Sequence, residues 1–199
     1  MHTKSYPPAL EELIGEFGRL PGIGRKTATR LAFYILDISE AEAQDLANAI
    51  SKAKRNIRFC SNCFNITEEN LCSICKEQSR DPNQICVVED PSSIMMIEKT
   101  NEYKGLYHVL GGVISPLDGI GAEDLRIKEL LNRVKNTSEV ILALNPSTEG
   151  EATNIYLSRL IKPMGIKVTR LASGIPLGSH LEFIDELTLS KALKTRIEL

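Results

Sequence analysis

The chain has no tryptophan, and aromatic residues make up only 5% of its 199 positions. Hydrophobic residues nevertheless reach 42% and charged residues 25%, which excludes a disordered polymer and describes an ordinary globular composition. No charge of one sign dominates. The net charge of -2 excludes a polycation that grips nucleic acid through bulk charge, so any such binding must come from a local patch. No apolar run approaches the roughly 20 residues needed to span a bilayer. The opening "MHTKSYPPALEELIGEF" lacks the apolar core of a secretory signal, so a cytoplasmic protein with no membrane association is expected. There the five cysteines are expected as thiols or metal ligands rather than disulfides. No Gly-x4-Gly-Lys-Ser/Thr loop is present, so ATP hydrolysis by the chain alone is not expected. Repeats and low-complexity stretches are also missing.

What is there falls into unlike segments. Leu10, Leu13, Ile14, Phe17 and Leu20 recur at helical spacing, "PGIG" at Pro21 to Gly24 interrupts them, and Ala28, Leu31, Ala32 and Ile35 start a second helix. Ser39 with Glu42 forms a capping-box signature before a third helix carrying Leu46, Ala49, Ile50 and Ala53. A short cysteine module follows from Cys60 to Cys75. Beyond it, apolar runs alternate with helical segments: "ICVVE", "YHVLGG", "VILALN" and "KVTRLA" read as strands of a parallel sheet with crossover helices between them. The tail from Gly174 is loop-rich, with a helix expected near Leu189 to Arg196. The fold class is therefore α/β: three N-terminal helices, a small cysteine module, a parallel sheet and a tail.

Local charge singles out the first helix pair. Residues 1–58 hold nine Lys/Arg against seven Asp/Glu, while the remainder holds fifteen against nineteen. Within residues 17–36, Arg19, Arg25, Lys26 and Arg30 occur with no acid at all. Gly22 and Gly24 permit backbone geometry closed to other residues, and Ile23 can pin the hairpin to the helix pair. The amides that open the second helix, with Arg25, Lys26, Thr27 and Arg30, suit a phosphate and carry no sequence preference. An ordinary turn between packed helices is the other reading. The stretch resembles a helix-hairpin-helix DNA-binding element, in which the hairpin can also serve as a protein contact.

Cys60, Cys63, Cys72 and Cys75 give two C-x2-C pairs separated by eight residues. Each pair sets two thiolates on a tight turn, and two such turns complete the tetrahedral sulfur site that Zn2+ prefers. With four protein ligands no position is left for water or substrate, so one structural Zn2+ per chain is expected, stabilising a segment too small for its own core. Redox-active pairs or an iron-sulfur cluster are the alternatives. Cys86 reads as a buried strand residue. His2, His108 and His180 have no ligand spacing and read as non-catalytic.

At the expected carboxyl ends of strands stand Glu89 and Asp90, then "NPSTEGE" from Asn145 to Glu151. Open α/β sheets bind ligands at that edge. The arrangement, over residues 79–173, resembles the Toprim domain of topoisomerases, primases and related nucleases, where the turn looks like D-P-D-x-E-G-E. Here Asn145 and Ser147 stand in place of the two aspartates, and neutral oxygens offer a hard cation far less charge. Glu89, Glu149 and Glu151 leave room for three readings: a scaffold, a weak cation or nucleotide site, or a Mg2+-dependent nuclease or primase. Thr148 with Glu151 reads as a capping box, and Asp90 with Pro91 as a cap and first-turn proline.

In order, "LPGIGRKTATRLAF", "FCSNC" with "CSIC", "VVED", "NPSTEGEAT" and "GIPLGSHLEFIDELTLSKAL" resemble the RecR family of bacterial recombination and repair proteins along the whole chain. The resemblance implies a helix-hairpin-helix region for DNA binding and dimerisation (1–58), a four-cysteine zinc finger (59–78), a Toprim domain (79–173) and a tail, sometimes called Walker B-like, for assembly (174–199). It implies a non-enzymatic mediator that works with RecO and RecF to load RecA onto single-stranded DNA. It further implies binding of single- and double-stranded DNA without sequence preference, and dimers that close into a ring tetramer. The hairpin cations would face the ring's opening, and Glu89, Glu149 and Glu151 would contact RecO.

Overall fold

The computed structural model describes residues 6–172 and 174–196. The chain divides into two compact units, Met1–Ile57 and Arg58–Leu199. His2 lies outside the described residues.

In the first unit, α1 (Pro8–Gly18) and α2 (Arg25–Asp37) pack through Leu10, Ile14, Ala28 and Ala32, the two alanines allowing close approach. Ile23 packs against this cluster from the hairpin, as its apolar character between two glycines suggests. Leu20 falls beyond the end of α1 and is exposed. The third helix, α3 (Glu40–Asn56), opens on the capping box: the Ser39 hydroxyl accepts from the Glu42 amide at 3.3 Å, and the Ser39 amide donates to the Glu42 carboxylate at 2.9 Å. That helix buries nothing, and its apolar side leaves Leu46 44% and Ile50 62% exposed.

The second unit starts with a two-stranded antiparallel ribbon, β1 (Arg58–Phe59) with β2 (Ile66–Thr67), and a single turn of helix, α4 (Ser73–Lys76). A parallel sheet follows. It is built from β3 (Asp81–Val88), β4 (Gly105–Val109), β5 (Glu139–Leu142) and β6 (Lys167–Arg170), ordered β4-β3-β5-β6. The crossovers carry α5 (Pro91–Glu98), α6 (Ile127–Arg133) and α7 (Thr148–Ile161).

The alternation of side chains along β3 sorts the core into two layers. Ile85 and Val87 join Leu130, Val140, Leu142, Leu157 and Ile161 under α6 and α7. Cys86 and Val88 join Ile94 of α5, Tyr107, Val109 and the buried cysteines on the opposite layer. The cysteine module thus borrows one layer of the sheet's core. Arg80, between the module and the sheet, ties the same side together. Its guanidinium donates to Glu98 at 2.9 and 2.5 Å, and the Tyr107 hydroxyl donates to Glu98 at 2.7 Å. These bonds, Arg80 first, hold the Glu98 carboxyl below its usual range.

In the tail, α8 spans Glu186–Lys194, three residues earlier than the apolar pattern suggests. The reason is local: the Asp185 carboxylate accepts from the Thr188 amide at 2.9 Å and fixes the start.

Candidate functional site

The hairpin between α1 and α2 differs in two respects from the sequence reading. Gly22 lies at φ +77°, a left-handed conformation that favours glycine, but Gly24 sits at φ -80° and ψ 164°, which any residue can adopt. The role of Gly24 is instead to be the N-cap of α2 without a side chain. The first-turn amides of α2 therefore keep no side-chain cap, and the first turn holds no acid. Arg25 and Lys26 are exposed there, as is Arg30 one turn on, while Thr27 is half-buried. Two cations at the positive end of a helix dipole are unfavourable unless an anion is brought between them. Arg25 also reaches Glu11 of α1 at 3.3 Å, so the acid-free stretch of sequence is not acid-free in space. An exposed pair of this kind contributes at most about 1 kcal/mol and yields readily to a phosphate.

The four cysteines meet. Their sulfur atoms all lie within 4.8 Å of one another, with Cys63 and Cys72 at 3.5 Å. A tetrahedral site with metal-sulfur bonds of about 2.3 Å needs sulfur separations of about 3.8 Å, so the cluster can hold a metal ion with little adjustment. The surrounding donors fit thiolates: the Cys72 amide points at Cys60 Sγ at 3.3 Å, the Asn65 amide at Cys63 Sγ at 3.5 Å, and the Asn62 side chain at Cys75 Sγ at 3.6 Å. Phe64 takes φ +63°, a left-handed turn that aims the Asn65 amide back at the sulfur.

Sequence reasoning missed how this module is fastened. The Val109 amide of the edge strand β4 donates to the Cys63 carbonyl at 2.9 Å. The Arg126 guanidinium lies 4.4 Å from the Phe59 ring centre and 4.7 Å from that of Phe64, the residues flanking Cys60 and Cys63. No spacing rule joins residues so far apart in the chain. His108 belongs to the same joint and is no ligand: Arg133 donates to its Nδ1 at 3.0 Å, so its Nε2 donates to the Arg126 carbonyl at 2.8 Å. Burial pushes its pKa down to about 4. His180 is exposed and lies edge-on to Phe183. Cys86 is buried in β3, and burial pushes its thiol up to about 12.

The acidic edge assembles only in part. Glu89 and Asn145 follow the neighbouring strands β3 and β5, and the Asn145 amide donates to Glu89 Oε2 at 2.7 Å. Glu151 pairs with Arg170 at 2.5 Å. Glu149 is half-buried, with no side-chain partner among the described residues. The cap of α7 is Ser147, one residue before the expected Thr148: the Ser147 hydroxyl accepts from the Gly150 amide at 3.0 Å. Gly150 is required, because a Cβ there would lie 2.0 Å from the Asn145 carbonyl oxygen. Asp90 caps α5 as expected, accepting from the Ser92 and Ser93 amides at 2.8 and 3.4 Å ahead of Pro91. The hydrogen bond from the Ser92 hydroxyl is the chief cause that holds its carboxyl low.

Four family models match the chain in succession: the RecR helix-hairpin-helix over residues 10–54, the RecR four-cysteine zinc-finger domain over 57–76, the Toprim domain over 83–172 and the RecR C-terminal region over 174–197. The chain is 52% identical over 193 residues to Recombination protein RecR of Streptomyces coelicolor, covering 96% of this chain and 97% of that protein. It is 54% identical over 196 residues to Recombination protein RecR of Bifidobacterium longum subsp. infantis, covering 98% of each. The chain belongs to the RecR family. As a member it is a DNA-binding recombination mediator and not an enzyme. The RecR family order of hairpin, four-cysteine module, Toprim sheet and tail is the order seen here. Among the described residues no helix is long and apolar enough to cross a membrane.

Proposed function

We propose that the protein binds DNA of either strandedness without sequence preference and, with RecO and RecF, promotes loading of RecA onto single-stranded DNA. The observation that carries this reading is the open start of α2: uncapped amides, no acid in the first turn, and exposed Arg25 and Lys26 behind the Gly22 turn. Gly22, Gly24, Arg25, Lys26, Thr27 and Arg30 form the phosphate-binding element. Zn2+ is the metal of Cys60, Cys63, Cys72 and Cys75, with a purely structural role, because four thiolates leave no open position.

The four functional regions follow the boundaries 1–58, 59–78, 79–173 and 174–199. The exposed apolar side of α3, with Leu46 and Ile50, supports dimerisation through the N-terminal region. Dimers closing into a ring tetramer repeat a weak basic patch and raise avidity without new contacts. RecO is expected at the carboxyl edge of the sheet, where Glu89, Glu149 and Glu151 offer carboxylates to a basic surface. Of these Glu149 is the least committed, since Glu89 and Glu151 already have partners.

The test is Arg25→Ala combined with Lys26→Ala, followed by DNA affinity against salt. Affinity should fall for every sequence tried, and the slope of log affinity against log salt should flatten by about 0.7 to 0.9 per lost phosphate contact. Unchanged affinity and slope in a folded variant would remove the hairpin from the DNA interface.

A further inference from the structure

The contact between Asn145 and Glu89 joins residues 56 apart in the chain at 2.7 Å. In the Toprim turn that this loop resembles, the position of Asn145 is an aspartate, and two facing carboxylates repel unless a cation lies between them. Here the amide presents an N–H to the carboxylate. A hydrogen-bond donor has the polarity of a cation, not of a cation's ligand.

We infer that Asn145 is a built-in substitute for a divalent cation: its side-chain amide positions Glu89 at the carboxyl edge of the sheet and makes that edge independent of metal. Three further observations support this role. First, the Asn145 backbone approaches the start of α7 closely, its carbonyl oxygen lying 2.0 Å from where a Cβ of residue 150 would be. Second, Ser147, at the other aspartate position, spends its hydroxyl oxygen on the Gly150 amide at 3.0 Å and so serves the helix instead of an ion. Third, Glu151 is turned to Arg170 at 2.5 Å. Ser147 and Glu151 are thus engaged elsewhere and Asn145 has donor polarity, which leaves Glu149 as the one acid of the turn without a side-chain partner among the described residues. From the other side, the Gly111 amide donates to the Glu89 backbone carbonyl at 2.9 Å, so residue 89 is fixed at both its main chain and its side chain. This inference does not depend on RecO being the partner at the edge, because its readout is metal binding.

The substitution Asn145→Asp puts two carboxylates within hydrogen-bond distance, a repulsive pair that a cation relieves. The full zinc-loaded chain is titrated with Mn2+ and the free ion followed by electron paramagnetic resonance. The wild type should show no Mn2+ binding that Glu89→Gln removes, whereas Asn145→Asp should bind Mn2+ roughly tenfold tighter than wild type or better. That gain should vanish in the double variant with Glu89→Gln. Asn145→Ala, which removes the donor without adding charge, should gain no Mn2+ affinity.

Should Asn145→Asp not fold, the wild type alone decides. Mn2+ should leave the NMR signals of the Gly111 amide and the Asn145 side chain unbroadened. Broadening at both positions, or an Asn145→Asp protein that folds and binds Mn2+ no better than wild type, would overturn the inference.

Discussion

The cysteine module and the acidic edge of the sheet are both places where composition invites a metal, and they treat their donors in opposite ways. In the module, sulfurs from two separate turns converge within 4.8 Å, and neighbouring amides point at them. At the edge, Glu89 is bound by Asn145 and Glu151 by Arg170. The difference follows from what each region needs in order to fold. The module is too short to bury a core of its own and leans on one layer of the sheet. The sheet has a buried layer on each side, and those two layers supply its core. The ligand set is complete where a short segment has no core of its own, and the corresponding positions take on helix-capping and hydrogen-bonding work where the sheet supplies a core.

The largest effect is expected from breaking the module. Cys63→Ser removes one of four thiolates and loosens the turn whose carbonyl receives the Val109 amide. Metal content should drop from one zinc per chain to none by elemental mass spectrometry. Metal-linked folding free energy on the order of 10 kcal/mol is at stake, so the variant should melt far earlier and lose hydrogen-exchange protection at Val109. A variant that keeps its melting point would mean that the borrowed core, and not the metal, holds the module.

A smaller but sharp effect is expected at the edge, where close packing of the turn supports its hydrogen bonds. Gly150→Ala forces a methyl against the Asn145 carbonyl and should cost about 2 to 3 kcal/mol in a denaturant melt. Gly15→Ala is the control, since a Cβ there meets nothing within 4 Å on a helix, and it should stabilise by about 0.5 to 1 kcal/mol. Equal effects at the two positions would show the loop to be loose and the bond between Asn145 and Glu89 to be incidental.

The two regions were also unequally legible in the sequence. Cysteine spacing carries its own geometry, so the cluster could be read directly, as could the Ser39 box, the Asp90 cap and the four apolar strands. Each of these is a short-range pattern. What stayed hidden was long-range. Nothing local says that Asn145 meets Glu89, or that Arg126 stacks on Phe59 and Phe64, because those contacts exist only once the crossovers place distant residues side by side. Glu11 beside Arg25 was hidden for the same reason, the hairpin folding one helix back upon the other. The cap of α7 was misjudged by one residue for a different cause. Ser147 with Gly150 and Thr148 with Glu151 have the same spacing, and only the extended backbone at Ser147, φ -83° and ψ 170°, decides between them.

That one-residue difference supplies the finest test of the comparison. Ser147 stands at a position where related turns carry aspartate, and it caps α7 through a hydroxyl oxygen. Serine and aspartate cap almost equally well, whereas alanine forfeits about 1 kcal/mol. If position 147 now serves only the helix, Ser147→Ala should lose about 1 kcal/mol and Ser147→Asp should stay within a few tenths of wild type, both read from denaturant midpoints without added metal. A penalty for Ser147→Asp as large as that for Ser147→Ala, relieved by Mn2+, would mean that the edge cannot hold another carboxylate without a cation. The two neutral positions would then act as a pair, and the metal-independence of the edge would rest on Ser147 as much as on Asn145. The expected pattern instead confines that role to Asn145, the residue whose amide touches Glu89.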